Sequence, residues 1–461
     1  MPRPNILLIH SDQHRYDCLG VNGHPIVQTP HLDRLAREGV NFTSAYTPAP
    51  VCVPSRNSLQ YGCWPTQHLA IANEGTEAPR PAREGLTSFS QMLHEAGYYL
   101  ACVGKWQVHP QRSPLEFGYD RYIPDAEYRT WRAAQHLPPV PHQNGFWGEV
   151  DPGIHPEQTA LGWGASQVIN LLVEQVNQEQ PFFLRWDTNE PHLPSILPEP
   201  YYSQVAPETV PPWPSFPDPL VGKPYIQAQQ RRSWHLEGWT WDQWAPLVAR
   251  YLGVVSLLDA QVGRILETLQ RLGLAENTMV VYSTDHGDLC GGHGLIDKHY
   301  VMYEDVTHVP LIIRWPGRAE AAIRCDAFVS HALDLALTFC EVAEAGVPST
   351  FCGRSLLPLL AGQIDNGRQE IVSTYFGNQF GLYSQRMLRD RKHKYVWNLT
   401  AEDELYDLTQ DPGELCNQAV NLKYRDVLSV LRHRLLMWME ETHDPLLNMW
   451  TRTQLTENCK I

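Results

Sequence analysis

The 461-residue sequence lacks a long uninterrupted apolar run, clustered cysteines and an excess of basic residues. Its formal net charge of −15 argues against nucleic acid or an anionic membrane as a partner. The ten cysteines do not have the dense spacing of a disulfide scaffold, which favours reduced thiols. Residues 1–4 lead directly into an apolar run without the successive regions of a signal peptide. We therefore expect a cytoplasmic protein that neither crosses nor binds a membrane.

The sequence contains alternating strand-like and helix-like segments. With 43% hydrophobic and 19% charged residues, the composition is that of a globular protein with a large core. Strand-like runs occupy residues 6–10, 98–103, 181–186, 279–283 and 309–315. Helical patterns occupy residues 29–38, capped by Thr29, 87–96, capped by Thr87, and 244–272. This alternation predicts an α/β fold with a large, mostly parallel sheet flanked by helices.

Composition also suggests how the chain divides. Residues 110–160 and 194–245 are rich in proline and tryptophan and are interpreted as long insertions. A composition shift at 355–367 predicts a catalytic domain over 1–362 and a smaller C-terminal α+β domain over 363–461. The second domain would contain strands at 371–375 and 395–398 and an amphipathic helix at 423–441.

Polar residues follow four of the predicted strands. They are Asp12 and Gln13, Lys105, His192, and Asp285 and His286. The carboxyl ends of parallel strands meet at one edge of a sheet, where active sites form. We therefore expect these side chains to converge, although each alone is more often a turn, capping or surface residue. The carboxylates of Asp12 and Asp285 and the amide oxygen of Gln13 suit a hard divalent cation.

Residues 52–56 read Cys-Val-Pro-Ser-Arg. Pro54 suits the first turn of a helix, and a helix over 54–61 would direct its free N–H groups towards the Cys52 side chain. A buried or redox-active thiol at a helix start is the alternative interpretation. The pentapeptide resembles the Cys-x-Pro-Ser-Arg motif of the type I sulfatases, which belong to the alkaline phosphatase superfamily.

The resemblance extends over most of the chain. Family-like blocks are 5–20, 29–46, 104–106, 181–192, 285–311 and 404–414. It implies an alkaline-phosphatase-like fold and a cysteine, Cys52, that a maturation enzyme oxidises to formylglycine. In that family the hydrated aldehyde attacks sulfur with one hydroxyl and expels the alcohol; the second hydroxyl then loses its proton and expels sulfate, which regenerates the aldehyde.

The resemblance also implies the roles of other residues. Arg56 would hold the formylglycine hydrate, Lys105 and Lys298 would bind the sulfate oxygens, and His192 would assist the leaving alcohol. The implied ligands of one divalent cation are Asp12, Gln13, Cys52, Asp285 and His286. Ca²⁺ is the expected ion, with Mg²⁺ and Mn²⁺ as alternatives.

Four features depart from the usual sulfatase pattern. Gln13 stands where a second acidic residue is common, and His286 where asparagine is common; this neutral pair could shift the metal preference towards Mn²⁺. Gln107 replaces a histidine expected two residues after the lysine, and His109 lies nearby. Residues 60–63, Gln-Tyr-Gly-Cys, replace Leu-Thr-Gly-Arg and could alter recognition by the maturation enzyme.

The leading hypothesis is hydrolysis of a sulfate ester on a carbohydrate, with a sulfated small molecule or saccharide as the bound partner. A phosphonate monoester or phosphodiester hydrolase on the same scaffold is the nearest alternative, and an inactive binding protein that retains the fold is a third. Eight tryptophans in or beside the insertions could stack on sugar rings, or could simply pack the long loops.

Overall fold

The computed structural model describes residues 3–73, 81–363, 367–377 and 382–457. The strands of these ranges are β1 (Asn5–Asp12), β2 (Val40–Phe42), β3 (Ala45–Tyr46), β4 (Tyr99–Gly104), β5 (Arg121–Pro124), β6 (Glu149–Val150), β7 (Phe182–Pro191), β8 (Ile196–Leu197), β9 (Thr278–Thr284), β10 (Leu311–Arg314), β11 (Ile323–Cys325), β12 (Val329–Ser330), β13 (Ile371–Gly377), β14 (Tyr383–Arg389), β15 (His393–Asn398) and β16 (Glu404–Asp407).

The α-helices of the same ranges are α1 (Pro30–Arg37), α2 (Cys52–Tyr61), α3 (Pro65–His68), α4 (Phe89–Glu95), α5 (Glu127–Ala134), α6 (Ala160–Gln175), α7 (Tyr225–Ser233), α8 (Trp241–Arg271), α9 (Glu304–Thr307), α10 (His331–Val342), α11 (Leu357–Leu360), α12 (Arg425–Glu441) and α13 (Met449–Glu457).

Eight strands form the central sheet in the order β11-β2-β10-β9-β1-β7-β4-β5. The five strands from β9 to β5 run parallel, whereas β10 is antiparallel to both of its neighbours. The expected sheet is therefore confirmed in its parallel centre and is mixed at one side. Its register pairs His10 of β1 with Asp187 of β7 and Ser283 of β9, which places the carboxyl ends of three strands side by side.

Strand β1 shows why the sheet is covered on both faces. Ile6 and Leu8 pack with α2, α4 and α10, whereas Leu7 and Ile9 pack with α1, α6 and α8. All four side chains are fully buried. An apolar run without alternation is the signature of a parallel strand between two helical layers.

Helix α8 is the longest helix of the described ranges, with 31 residues. Gly273, with φ +71°, follows it as the pattern predicts. By length and composition alone α8 could cross a bilayer, contrary to the expectation from the sequence. However, 78% of its most apolar window is buried inside the protein, as in the core helix of a globular domain.

A four-stranded antiparallel sheet, β13-β14-β15-β16, forms the smaller C-terminal part. Its core joins Leu388 and Trp397 to Leu431 and Leu435 of α12, and Trp64 packs in the same cluster. The expected α+β architecture is therefore present. The boundary between residues 362 and 363 stays a prediction; it adjoins residues 364–366, which lie outside the described residues, as do Cys459 and the rest of 458–461.

Three predicted helix starts are corrected. Thr29 precedes α1 but does not cap it; the carboxylate of Asp259 accepts the N–H groups of His31 and Leu32 at 3.1 and 2.7 Å instead. The cap of α4 is Ser88 rather than Thr87, because the Ser88 hydroxyl accepts the N–H of Gln91 at 3.2 Å. Helix α2 begins at Cys52, two residues before Pro54.

The tryptophans of the insertions mostly pack on one another. Ring centroids are 5.2 Å apart for Trp147 and Trp239, 5.0 Å for Trp239 and Trp244, and 6.3 Å for Trp213 and Trp241. The packing alternative therefore describes these rings, which stabilise the long segments beside α8.

Candidate active site

The carboxyl ends of four parallel strands meet at one edge of the central sheet. Asp12 ends β1, Lys105 directly follows β4, His192 follows β7, and Asp285 follows β9. Helix α2 enters this edge with Cys52 at its first residue and Arg56 one turn later. The sequence therefore places all four loops on the edge where the parallel topology brings them together.

Four ligand-type side chains form a compact cluster at this edge. One donor atom each from Asp12, Cys52, Asp285 and His286 lie within 4.8 Å of one another, and all four residues are buried. The Nε2 atom of His286 is 3.8 Å from Asp12 Oδ1 and 3.6 Å from Asp285 Oδ1. Burial lowers the pKa of His286, but Asp285 and Cys52 raise it to about 9. Such negative surroundings and this donor set fit a divalent cation.

Gln13 lies beside this cluster but directs its side chain elsewhere. Its Nε2 group donates to Asp288 at 2.7 Å and to Asp297 at 2.8 Å, and its Oε1 atom accepts from Lys298 at 2.9 Å. Its backbone N–H donates to Asp285 Oδ1 at 3.1 Å. Gln13 thus supports the carboxylate of Asp285 through the backbone, and its role as a ligand stays a prediction.

Cys52 is 1% exposed and faces the cluster. Its Sγ atom is 3.3 Å from His286 Nε2 and 3.8 Å from Asp12 Oδ1. Burial and Asp12 raise the pKa of the thiol, but Lys298, Lys105 and His286 lower it below the ordinary value overall. The helix N–H groups are partly used already, since Val53 N–H donates to Asn73 Oδ1 at 3.0 Å.

Arg56 is fully buried and contacts three carboxylates. Its Nε donates to Asp285 Oδ2 at 3.0 Å, its Nη2 to Asp12 Oδ2 at 3.2 Å, and its Nη1 to Asp187 Oδ1 at 2.6 Å. Burial lowers the pKa of Arg56, but the three carboxylates outweigh burial and raise this pKa above its usual range. Arg56 therefore stays cationic and holds the two cluster carboxylates in place.

The two lysines have different surroundings. Lys105 is 8% exposed, and its Nζ group donates to Asp12 Oδ2. Lys298 Nζ contacts Gln13 Oε1 at 2.9 Å, His192 Nε2 at 2.9 Å and Asp297 Oδ1 at 3.2 Å. Lys105 thus faces the open side of the site, while Lys298 lies behind His192.

His192 is held in one tautomer. Its Nδ1–H donates to Leu193 O at 2.7 Å, so its Nε2 atom accepts from Lys298. Burial and Lys298 lower its pKa to about 4. His192 is therefore neutral near pH 7 and can exchange a proton only at Nε2.

Sequence reasoning missed four residues of this constellation. They are Asn73, Asp187, Asp288 and Asp297. Asp187 offered a detectable signal, because it directly follows the predicted strand at 181–186, as the other site residues follow theirs. Asp297 directly precedes Lys298. Burial raises the pKa of Asp297, but the charges of Lys298 and His299 outweigh burial and hold this pKa well below its usual range.

A cavity of about 490 Å³ opens above Cys52, Lys105 and His192. Its lining includes the aliphatic side chains of Val140, Leu161, Leu193, Ile196, Val254 and Leu257. The lining also includes the polar side chains of Asn73, Gln107, Asp125, Arg129, Asn189 and Glu190. None of the tryptophans within the described residues lines this cavity.

The structure separates Gln107 from His109. Gln107 lines the cavity, and its Oε1 atom is buried without a hydrogen-bond partner among the described residues. His109 Nδ1 instead accepts the N–H groups of Gln111 and Arg112 at 3.1 and 3.0 Å. His109 closes a local turn and therefore does not replace the missing histidine.

The altered residues 60–63 are buried rather than exposed. Gln60 Nε2 donates to Ser90 Oγ at 2.6 Å. Gly62 has φ +60°, and a Cβ there would lie 2.5 Å from the Phe351 ring. Cys63 is 1% exposed, and burial raises its pKa to about 12. An arginine would therefore place a charge in the core at position 63.

Comparison with known proteins gives consistent matches. The family model described as Sulfatase matches residues 4–345, and the model of the N-sulphoglucosamine sulphohydrolase C-terminal region matches 291–441. An arylsulfatase of Clostridium perfringens is 28% identical over 95% of this chain and 95% of its own length. An N-acetylglucosamine-6-O-sulfatase of Bacteroides thetaiotaomicron is 26% identical over 95% of this chain and 86% of its own. The crystal structure of the phosphonate monoester hydrolase of Agrobacterium radiobacter superposes with a TM-score of 0.84 at 25% identity, covering 95% of this chain and 96% of that one.

Proposed function

Because the chain belongs to the sulfatase family, we propose that it hydrolyses the sulfate ester of a saccharide with a formylglycine formed from Cys52. The observation that carries the proposal is the buried cluster of Asp12, Cys52, Asp285 and His286 at the floor of the cavity, with Lys105 beside it. A nucleophile position, a cation site and an anion-binding lysine thus meet where a substrate can enter.

The proposed chemistry needs two groups beyond the encoded side chains. Oxidation of Cys52 by a formylglycine-generating enzyme supplies the hydrate that attacks sulfur. A divalent cation, proposed as Ca²⁺ with Mg²⁺ or Mn²⁺ as alternatives, supplies Lewis-acid stabilisation of oxygen charge when bound. Asp12, Asp285, His286 and the residue at 52 would hold it, with Gln13 as a further ligand. The cytoplasmic location predicted from the sequence requires the maturation enzyme in the same compartment.

Three further residues bind the sulfate group, hold the carboxylates and contact the leaving alcohol. The Lys105 ammonium faces the cavity and can donate to sulfate oxygens as their charge grows in the transition state. Arg56 keeps the carboxylates of Asp12 and Asp285 oriented. His192 Nε2 accepts from Lys298 Nζ at 2.9 Å, so His192 stands in the cavity lining as a neutral, fixed ring that can orient the leaving alcohol.

The saccharide assignment is supported by the relatives and by the shape of the cavity. One relative is named N-acetylglucosamine-6-O-sulfatase. A cavity of about 490 Å³ has room for a small sugar unit, with aliphatic side chains to contact its C–H groups and polar side chains to bind its hydroxyls. We propose a compact sulfated sugar rather than a long chain as the bound unit.

The test combines modification and turnover. Mass spectrometry of the Cys52 peptide from a host that makes formylglycine should show the thiol replaced by an aldehyde. The same preparation should release sulfate from sulfated monosaccharides, and Cys52→Ala should not. An intact thiol in fully active enzyme would contradict the proposal.

A phosphonate monoester or phosphodiester hydrolase is the second candidate. The superposition with a phosphonate monoester hydrolase and the Asp12 and Gln13 pair favour it. Turnover of aryl sulfate, aryl phosphonate monoester and phosphodiester by one preparation separates the two. A kcat/KM at least tenfold higher for the sulfate supports the sulfatase, and the reverse order supports the alternative.

A further inference from the structure

Strand β7 carries two charged residues on one face of an otherwise apolar segment. Arg185 and Asp187 are separated by one residue, so their side chains point to the same side of the sheet. They are 0% and 1% exposed. Two buried charges in the centre of a parallel sheet require a specific set of partners.

Asp187 joins Arg185 to the candidate active site. Its carboxylate accepts Nε and Nη2 of Arg185, the latter at 2.8 Å, and also Nη1 of Arg56 at 2.6 Å. Arg185 Nη1 in turn reaches Gln60 Oε1 of α2 at 3.4 Å. Arg56 is therefore tied both to the strand and, through Arg185, to the far end of its own helix.

Arg56 uses its other N–H groups on the carboxylates of the cation cluster. It contacts Oδ2 of both Asp12 and Asp285. The Oδ1 atoms of the same carboxylates face His286 at 3.8 and 3.6 Å. One oxygen of each carboxylate is thus fixed by Arg56, and this orients the other towards the cluster.

We propose that Asp187 and Arg185 are positioning residues that fix Arg56 and, through it, the two carboxylates of the cation site. Neither residue contacts the cavity. Without the Asp187 carboxylate, Arg56 would lose its shortest contact and face the uncompensated charge of Arg185. The competing explanation is that Asp187 only neutralises Arg185 in the core. The turnover part of the test rests on the proposed function, whereas cation binding does not.

The first measurement is cation affinity of Asp187→Asn, by calorimetric titration with Ca²⁺ and Mn²⁺. Loss of such an outer partner typically weakens affinity or activity by about 10 to 100-fold. We expect this loss for the cation, and a fall of similar size in kcat with KM within about threefold. Unchanged cation affinity and unchanged kcat would overturn the proposal.

A double variant separates positioning from neutralisation. In Arg185→Met with Asp187→Asn, both buried charges of the pair are gone. If Asp187 only neutralised Arg185, affinity and kcat should return to within about twofold of wild type, which would overturn the proposal. If Asp187 positions Arg56, both should stay reduced by about tenfold or more.

The chain offers a matched control. Arg386 and Asp444 form the same bidentate pair, with Nε–Oδ2 and Nη2–Oδ1 distances of 2.6 and 2.9 Å, and both side chains are fully buried. Asp444→Asn should lower thermal stability to a similar extent and leave cation affinity within about twofold. If cation affinity fell as much in Asp444→Asn as in Asp187→Asn, destabilisation alone would explain the effect, and the proposal would be overturned.

A milder variant keeps the test decisive if Asp187→Asn does not fold. Arg185→Lys keeps the charge but loses the bidentate contact, so cation affinity should fall severalfold in a folded protein; an unchanged affinity would overturn the proposal. The two proposals also fail differently. A wild type that turns over no sulfate ester contradicts the function, even where Asp187→Asn weakens cation binding as expected.

Discussion

Two groups of buried charges in this protein differ in how completely they are paired. At the edge of the central sheet, Lys105 contacts Asp12 and still lines the cavity. Between the two sheets, Lys394 is fully buried and contacts Met302 O at 2.9 Å and the carboxylates of Glu304 and Glu414 at 2.8 Å each. An ammonium has three N–H groups, so Lys394 is saturated and Lys105 is not. Burial of a charge alone therefore does not indicate a reactive site; a buried charge that still has N–H groups available for a ligand does.

At the edge of the central sheet, replacing Cys52 should have the largest effect on turnover. Cys52→Ala removes the proposed nucleophile, so turnover should fall by about 10⁴-fold or more. The free energy of unfolding should change by only about 1 kcal/mol, since a small side chain is lost at a polar site. Turnover assays and urea unfolding measure both quantities. Cys416→Ala, at an exposed position, is the control; near-normal turnover by Cys52→Ala would show that another group is the nucleophile.

The two lysines test the comparison directly. Lys105→Ala should lower kcat/KM by about 10² to 10³-fold, because the proposed donor to the transition state is lost, with little change in stability. Lys394→Ala removes the ammonium that Glu304 and Glu414 share. Glu304 keeps Arg389 Nε at 3.2 Å, but the buried Glu414 carboxylate loses its cation, so the change should cost about 3 kcal/mol of stability. The remaining folded fraction of Lys394→Ala should keep kcat. If the two variants exchanged these outcomes, the distinction between an ammonium that can still bind a ligand and one that is fully paired would be wrong.

Cys63→Arg tests the closed packing at the far end of α2. This change restores the usual family residue, yet it places a guanidinium where the native side chain is 1% exposed. We expect a loss of about 3 kcal/mol in the free energy of unfolding. Cys63→Ala, measured by the same denaturant titration, should cost less. A stable Cys63→Arg protein would mean that the segment can open towards solvent.

The smallest expected effect concerns Glu190, a polar residue of the cavity lining. Burial and Asp125 raise its pKa to about 7, although Lys105 opposes this. The folded state therefore favours the protonated carboxyl, and stability is lost as pH rises from about 4.5 to about 7. Glu190→Gln removes this penalty and should be more stable than wild type by on the order of 2 kcal/mol above pH 7, with no gain at pH 4. Thermal unfolding across this pH range measures the difference, with Glu276→Gln, at an exposed position, as the control. A gain in stability at pH 4 as large as at pH 8 would contradict the prediction.

Much of the fold followed from local patterns. The apolar runs that become β1, β4, β7 and β9 were identifiable because buried parallel strands are apolar on both faces. The convergence of Asp12, Lys105, His192 and Asp285 followed from the parallel topology alone. Helix starts were less predictable: Asp259 caps α1 from another helix, and no local pattern encodes such a contact.

The sequence by itself determined the family, the strand that each site residue follows, and the identity of Cys52 and Arg56. Only the tertiary structure decided that Asp187 and Arg185 support Arg56, that Gln13 faces Lys298, and that the insertion tryptophans pack on one another. The physical reason is the same in each case. Local patterns report which positions are buried, but the partner of a buried polar group depends on residues distant in the chain, and the free energy of that pairing is set by geometry that appears only when the strands and helices assemble.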